Sequence, residues 1–268
     1  MTGRLEGKVV IITGATSGIG EATAHCFAAQ GAKLLLAGRT VEKGMALASQ
    51  LGDCAQFQRA DVRHEADIRV LVDVAVERFG RLDCMFNNAG ASASAPLDDV
   101  TEQDLSDGMQ LLVGSALFGI KHAARVMKLQ PSGGSIINNA SIAAHRIGQG
   151  GIVYSIAKAA VAHLTRLTAV ELGPHHIRVN AISPGAIATP IFWGGSERAN
   201  TLSTEENERK LAKLEQNLAK ATPLPRTGYA MDIANAALFL ASDEGSFVNG
   251  HDLVVDGGRI WQFHERSR

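Results

Sequence analysis

Cysteine is scarce in this chain, and the few cysteines present do not form a group. Cys26, Cys54 and Cys84 are odd in number and far apart, and none belongs to a Cys-x-x-Cys pair or a Cys/His cluster. This spacing excludes a disulfide-rich scaffold and offers no ligand set for a metal. We therefore expect buried, reduced thiols, a cytoplasmic protein and no bound metal.

Net charge and long apolar runs are also missing. The formal net charge is -1 over 268 residues, so electrostatics gives no reason to expect binding to nucleic acid or to an anionic membrane. No stretch approaches about 18 uninterrupted apolar residues, which predicts no transmembrane helix. Residues 1–8 lack the charged-then-apolar pattern of a signal peptide.

Short apolar runs alternate instead with longer segments of helical periodicity. The predicted strands are residues 9–12, 33–37, 55–60, 82–86, 135–138, 177–182 and 252–255, and the predicted helices are 18–30, 41–50, 65–78, 101–129, 152–172 and 230–241. Strands that are apolar throughout are typical of a parallel sheet buried on both faces. The pattern predicts an α/β fold, a doubly wound parallel sheet with helices on both faces. The length allows one large domain or two small ones. Because no linker or repeat is visible, we expect one domain over residues 1–268.

A glycine-rich loop, TGATSGIG at residues 13–20, follows the first predicted strand. Glycine permits a tight turn and close approach of the backbone to a ligand. The loop leads into a predicted helix, whose free N–H groups and dipole favour a pyrophosphate. A strand before the loop and a helix after it are the context that a dinucleotide site requires.

Tyr154 and Lys158 are four residues apart in a predicted helix, and Ser141 precedes the tyrosine by 13 positions. Positions i and i+4 share one helix face. A phenol needs its pKa lowered by about 3 units, roughly 4 kcal/mol, to act as a base near neutral pH. One cation about 4 Å away supplies about that much at an effective dielectric near 20. Taken alone, the same spacing also fits a half-buried tyrosine beside a solvated lysine.

Taken together, the motifs settle that choice, because the chain resembles the short-chain dehydrogenase/reductase family in its single-domain form of about 250 residues. The resemblance covers almost the whole chain and rests on the loop at 13–20, Asp61, the run NNAG at 87–90, Ser141, Tyr154, Lys158, the runs RVN at 178–180 and SPG at 183–185, Thr189, and VDGG at 255–258. It implies a seven-stranded Rossmann-like sheet and a nicotinamide dinucleotide across the carboxyl ends of its strands.

The resemblance also implies which residues contact the cofactor. Asn87 would lie along it, and Lys158 would hold the nicotinamide ribose. The full implied set is Gly14, Thr16, Ser17, Gly18, Ile19, Arg39, Asp61, Val62, Asn88, Ala89, Gly90, Tyr154, Lys158, Pro184, Gly185, Ile187 and Thr189.

The end of the second predicted strand bears on the choice between NADP and NAD. An NAD site usually has a carboxylate there for the ribose 2′-hydroxyl, whereas this chain has Gly38 followed by Arg39. A guanidinium suits a 2′-phosphate, and the missing carboxylate removes a repulsion. We therefore favour NADP(H). The alternative is that Arg39 only solvates the strand end and the cofactor is NAD.

The implied reaction is hydride transfer between a nicotinamide and a secondary alcohol or ketone. Tyr154 would act as general acid/base, Ser141 would hydrogen-bond the substrate oxygen and Lys158 would lower the tyrosine pKa. The family usually adds an asparagine in the helix after the fourth strand, and our alignment places Leu112 there. Two alternatives therefore remain: a cofactor-binding regulator with little turnover, and a redox-neutral enzyme on the same scaffold.

Substrate contacts and assembly are harder to read from the sequence. Residues 190–222 form a candidate lid, and Phe192 and Trp193 in it could cover an apolar or cyclic substrate. His145 and Gln149, between Ser141 and Tyr154, could line the same pocket. The predicted helices 101–129 and 152–172 form a dimer face in the family, so a homodimer or homotetramer is expected.

Overall fold

Seven strands form one all-parallel sheet in a computed structural model that describes residues 3–92 and 95–262. The strand order is β3-β2-β1-β4-β5-β6-β7. The strands are β1 Val9–Thr13, β2 Lys33–Gly38, β3 Ala55–Arg59, β4 Cys84–Asn87, β5 Gly134–Asn139, β6 Ile177–Pro184 and β7 Asp252–Val255. All seven lie within about two residues of the predicted positions, so the predicted parallel sheet is confirmed.

Helices cover both faces of this sheet. They are α1 Gly18–Ala29, α2 Val41–Leu51, α3 Glu65–Phe79, α4 Glu102–Met109, α5 Ser115–Met127, α6 Ile152–Leu172, α7 Gly195–Asn200, α8 Thr204–Leu218 and α9 Ala230–Ala241. Alternate residues of β1 point to opposite faces. Val10 and Ile12 join an apolar cluster with α1 and α9, while Val9 and Ile11 join a second cluster with α3, α5 and α6.

The helix predicted at 101–129 is not continuous. It begins with a capping box, in which Thr101 and Asp104 each accept a hydrogen bond from the other's backbone N–H. Between α4 and α5, residues Gln110–Gly114 form a π-helical turn. The Ser115 N–H donates to the Gln110 carbonyl five residues back, and the Ser115 hydroxyl donates to the Leu111 carbonyl at 2.6 Å. Ser115 therefore closes the widened turn with two hydrogen bonds, although the helical periodicity of the sequence does not mark this position.

The strand order determines where a ligand can bind. The chain runs outward from β1 to β3, returns to β4 beside β1, and continues to β7 on the other side. Loops after β1 and β4 therefore diverge at the carboxyl edge of the sheet, where open parallel sheets bind ligands. None of the helices formed by the described residues is long and apolar enough to cross a membrane.

Candidate active site

A cavity of about 630 Å³ lies at the carboxyl edge of the sheet, a size in the usual range for ligand sites. Its wall contains the three residues predicted to be catalytic and each residue of the cofactor set. These are Gly14, Thr16, Ser17, Gly18, Ile19, Arg39, Asp61, Val62, Asn88, Ala89, Gly90, Ser141, Tyr154, Lys158, Pro184, Gly185, Ile187 and Thr189. Residues from most of the sequence therefore converge on one cavity.

The glycine loop packs so closely that side chains are excluded from it. Gly14 has a φ of 65°, and a Cβ there would lie 2.9 Å from the Ala89 Cα. At Gly20, a Cβ would lie 2.2 Å from the Gly14 carbonyl oxygen. Ser17 precedes α1 and makes no side-chain capping bond, so the first N–H groups of α1 stay available at the cavity wall. This arrangement fits a pyrophosphate.

Asn88 connects the glycine loop to the neighbouring strands. Its Nδ2 donates to the Thr13 carbonyl at 2.9 Å, and its Oδ1 accepts from Asn139 Nδ2 at 2.9 Å. Asn87 was expected along the cofactor, but it is not part of the cavity wall formed by the described residues. It points into the core instead, where its Nδ2 donates to Asn138 Oδ1 at 2.8 Å, because successive strand residues face opposite ways.

Positive charge surrounds the wall near the ends of β2 and β3. The hydrogen bond from Arg63 lowers the pKa of Asp61 to about 2, and the nearby Arg39 acts in the same direction. Arg63 Nε lies 3.0 Å from Asp61 Oδ1. At Gly38, a Cβ would lie 3.1 Å from Thr16 Cγ2, so a side chain at that position would crowd the glycine loop. The wall thus presents Gly38 at the position where an NAD site usually presents a carboxylate, with Arg39 beside it.

Ser141, Tyr154 and Lys158 are brought together by a short 3-10 turn and the helix α6. Ser141 caps the 3-10 turn Ile142–Ala144, and its Oγ accepts from the Ala143 N–H at 3.1 Å. Tyr154 and Lys158 occupy successive turns of α6, with the lysine Nζ 5.6 Å from the centre of the phenol ring. Position 150 is a glycine because a Cβ there would lie 2.7 Å from the tyrosine ring.

Burial changes the protonation of both helix residues. It lowers the pKa of Lys158 to about 8, so the ammonium is still mostly protonated at pH 7. Burial also raises the pKa of Tyr154, and the Ser141 hydroxyl offsets part of this rise. We expected Lys158 to lower the tyrosine pKa. In the structure the ammonium donates to the Asn139 carbonyl at 2.5 Å, so burial dominates at the phenol.

Leu112, the residue aligned with the family's asparagine, is buried in the π-helical turn. An ideal Cβ at Gly90 would lie 3.1 Å from Leu112 Cδ2 and 3.9 Å from Lys158 Nζ. The aligned position therefore does lie near the lysine, but it carries an alkyl group. The lysine ammonium donates instead to the backbone carbonyl of Asn139. The side-chain Oδ1 of Asn139 is buried and has no partner among the described residues.

At the substrate end the four predicted residues separate into two pairs. Gln149 and Phe192 line the cavity, whereas His145 and Trp193 are not part of the wall formed by the described residues. His145 Nε2 lies 2.8 Å from Asp252 Oδ2. The Trp193 indole N–H donates to Asn207 at 3.1 Å. Trp193 is therefore bound to Asn207 of α8, whereas Ile191 and Phe192 of the same 3-10 turn line the cavity.

Two residues that sequence reasoning missed also belong to the site. Asn139 supplies the carbonyl for Lys158, and its position directly after β5 was the available signal. Arg259 lines the cavity from a 3-10 turn after β7. No motif marks Arg259, because its place depends on how the last strand turns back toward the lid.

The chain is similar to known proteins over most of its length. Residues 14–259 match a family described as enoyl-(acyl carrier protein) reductase. Momilactone A synthase from Oryza sativa subsp. japonica is 41% identical over 95% of this chain and 90% of its own length. A short-chain dehydrogenase reductase from Arabidopsis thaliana is 41% identical over 95% of this chain and 93% of its own. The mitochondrial borneol dehydrogenase from Lavandula x intermedia is 42% identical over 95% and 91%.

Proposed function

Because the chain belongs to the short-chain dehydrogenase/reductase family and is an NAD(P)-dependent oxidoreductase of alcohol and ketone groups, we propose that it interconverts an apolar secondary alcohol and its ketone with NADP(H). The observation that carries this proposal is the convergence of Ser141, Tyr154 and Lys158 on the cavity that also contains the glycine loop. A bound nicotinamide supplies or accepts the hydride at the substrate carbon.

The side chains supply the proton and hold the oxygen. In the reducing direction, the Tyr154 phenol gives its proton to the oxygen of the carbonyl that gains the hydride, which completes the alcohol. Ser141 donates a hydrogen bond to the same oxygen. The Lys158 ammonium, 5.6 Å from the centre of the ring, stabilises the phenolate that remains, although burial has the larger effect and leaves the phenol pKa raised. Because burial keeps the phenol protonated at neutral pH, reduction is favoured there and oxidation at higher pH.

The preference for NADP(H) is supported by the charges at the end of β2. Gly38 provides no carboxylate to repel a 2′-phosphate, and Arg39 is on the cavity wall. The carboxylate of Asp61 is balanced by Arg63. A 2′-phosphate would therefore meet positive potential, and guanidinium groups suit its geometry.

The substrate end supports an apolar substrate beneath a lid over residues 190–222. Pro190, Ile191 and Phe192 line the cavity, and Phe192 is 51% exposed. An exposed aromatic at a cavity mouth gains most from covering an apolar ligand. The relative named borneol dehydrogenase is named for a bicyclic alcohol, which agrees with a cyclic substrate.

We also propose assembly into a homodimer or homotetramer through α4, α5 and α6. These helices expose Leu105, Leu117, Ile156 and Leu167 by 42% to 58%. Light scattering on the purified protein tests the proposal, and a monomer at micromolar concentration would refute it. A cytoplasmic location likewise stays a prediction.

The function is tested by following absorbance at 340 nm with NADPH and with NADH. The panel contains cyclic and aromatic ketones, the matching alcohols with oxidised cofactor, and an enoyl thioester for the chemistry named by the matching family description. We expect turnover of ketones with NADPH. Tight cofactor binding without turnover would favour the regulator, and turnover of the thioester alone would replace ketone chemistry by double-bond reduction.

A further inference from the structure

Arg259 is the charged residue that the substrate end of the cavity presents to a ligand. Among the described residues, four charged ones contribute to the cavity wall: Arg39, Asp61, Lys158 and Arg259. The first two lie at the ends of β2 and β3, and Lys158 lies beside Tyr154. Arg259 lies elsewhere, between the loop before α6 and the end of the lid, so its charge is not explained by the cofactor.

The position of Arg259 is defined by bonds to both sides of the cavity mouth. Its Nε donates to Gln149 Oε1 at 2.6 Å, one residue from the glycine that packs on the Tyr154 ring. Its Nη1 donates to the carbonyl of Ala221, just past α8, at 2.9 Å. The guanidinium is thus held in one orientation with few free rotamers to lose on binding.

The guanidinium has donors left over. Arginine carries five N–H donors, and the described residues accept two of them, from Nε and Nη1. Both Nη2 hydrogens find no acceptor among the residues that the structure describes. A partly buried guanidinium with unused donors on a cavity wall is suited to bind an oxygen acceptor from a ligand.

The surrounding charges of the described residues offset the guanidinium only in part, because Asp256 attracts it and Arg146 repels it. Asp256 is the nearby acid, but its Oδ1 accepts from the Gly258 N–H and its Oδ2 from the Ile260 N–H, both at 2.7 Å. Arg146 is the other neighbouring charge, and it donates to the Arg259 carbonyl. Arg259 makes no ion pair with a carboxylate of the described residues. The local balance is therefore positive.

We propose that Arg259 recognises a second oxygen acceptor on the substrate, separate from the carbonyl or alcohol that reacts at Tyr154. The substrate is then a bifunctional ketone or alcohol whose far end carries a carbonyl, ester or carboxylate oxygen. This inference rests on the proposed function, since it assumes that the reacting group sits at Ser141 and Tyr154. Arg259 acts here as a specificity-determining residue and takes no part in proton transfer.

The test compares matched ketones with NADPH. Cyclohexanone is measured beside cyclohexane-1,4-dione and 4-oxocyclohexanecarboxylate. The corresponding decalones place the second oxygen farther from the reacting carbonyl. The wild-type protein should prefer a ketone with a second oxygen by at least about 10-fold in kcat/KM, the scale of one hydrogen bond to a charged group. A preference for the diketone alone would indicate a neutral acceptor, and a larger one for the keto acid an anion.

Substitutions separate recognition from support of the lid. Arg259→Met should abolish the preference through KM and change kcat/KM for cyclohexanone by less than about 3-fold, whereas Arg259→Lys should keep part of the preference for the keto acid. Arg78→Met, on the exposed end of α3, removes a guanidinium far from the cavity and should change neither value.

Two outcomes would overturn the inference. An unchanged preference in Arg259→Met would show that the second oxygen is recognised elsewhere, and equal losses for plain and bifunctional ketones would show that Arg259 only supports the lid. Failure of the proposed function looks different, because the wild-type protein would then reduce no ketone of the series while still binding NADPH.

Discussion

The two ends of the cavity are built in different ways. The cofactor end consists of loops that directly follow strands, and its shape depends on backbone contacts such as the close approach of Gly14 to Ala89. The substrate end consists of short helices after β6, connected by side-chain bonds such as that from Trp193 to Asn207. A backbone-built site accepts one ligand shape, whereas a side-chain-built site can change by substitution without changing the fold.

Tyr154 lies where the two ends meet, and its loss should have the largest effect. Tyr154→Phe keeps the ring that packs on Gly150 but removes the proton donor, so turnover should fall at least about 100-fold. Cofactor binding, followed by quenching of protein fluorescence, should change little. Tyr229→Phe alters the other tyrosine, which lies outside the cavity wall, and should keep full activity. Full activity in Tyr154→Phe would remove the phenol from the mechanism.

Lys158 should make stability depend on pH in a predictable window. Its pKa is about 8 in the folded protein, below the ordinary 10.5. Between pH 8 and pH 10.5 the unfolded chain binds more protons than the folded protein, so the free energy of unfolding rises with pH across this window. The same stability is lost as the pH falls back through about 8. Relative to Lys158→Met, the free energy of unfolding should rise by about 3 kcal/mol from pH 7 to pH 10.5.

Urea unfolding at several pH values measures this difference. Lys213 lies on the exposed side of α8, and Lys213→Met should leave the pH dependence of the wild-type protein unchanged. If wild type and Lys158→Met run parallel across the window, the lysine is not desolvated and the cofactor end is more open than its contacts suggest.

Two glycines with positive φ allow the ends to be compared directly. Gly14 has a φ of 65° and Gly195 in the lid a φ of 73°. A Cβ at Gly14 would lie 2.9 Å from backbone, while at Gly195 nothing lies within 4 Å. Alanine should cost about 1 kcal/mol at Gly195, from the left-handed backbone alone, and about 2 to 3 kcal/mol at Gly14, where the loop also has to move.

Substitutions at Gly14 and Gly195 should also differ in their effect on cofactor affinity. Gly14→Ala should weaken NADPH binding at least about 10-fold, because the shifted loop no longer fits a pyrophosphate. Gly195→Ala should bind NADPH like the wild-type protein. Equal losses of stability and affinity in the two variants would mean that the lid is as tightly determined as the glycine loop.

The contrast also explains what the sequence could and could not predict. The strands and the residues at their carboxyl ends could be predicted, because apolar runs and glycine spacing follow from local backbone requirements. The π-helical turn at Leu112 was not, because its extra residue is stabilised by hydrogen bonds that periodicity does not encode. Arg259 and the outward positions of His145 and Trp193 depend on contacts between distant segments, for which one sequence carries no signal.

Arg39 provides the smallest predicted effect, since its side chain is exposed and screened by solvent. Arg39→Ala should reduce the ratio of kcat/KM for NADPH over NADH about 10-fold, one hydrogen-bonded charge at 1.4 kcal/mol per decade. The loss should appear in KM for NADPH, with kcat and the NADH values nearly unchanged.

Arg59, exposed at the end of β3 and outside the cavity wall, provides the matched control, because Arg59→Ala removes the same charge from the same sheet edge. If both variants lower the ratio equally, only the general positive field attracts the 2′-phosphate. If neither does, the cofactor end does not read that phosphate through Arg39, and the preference for NADP(H) is wrong.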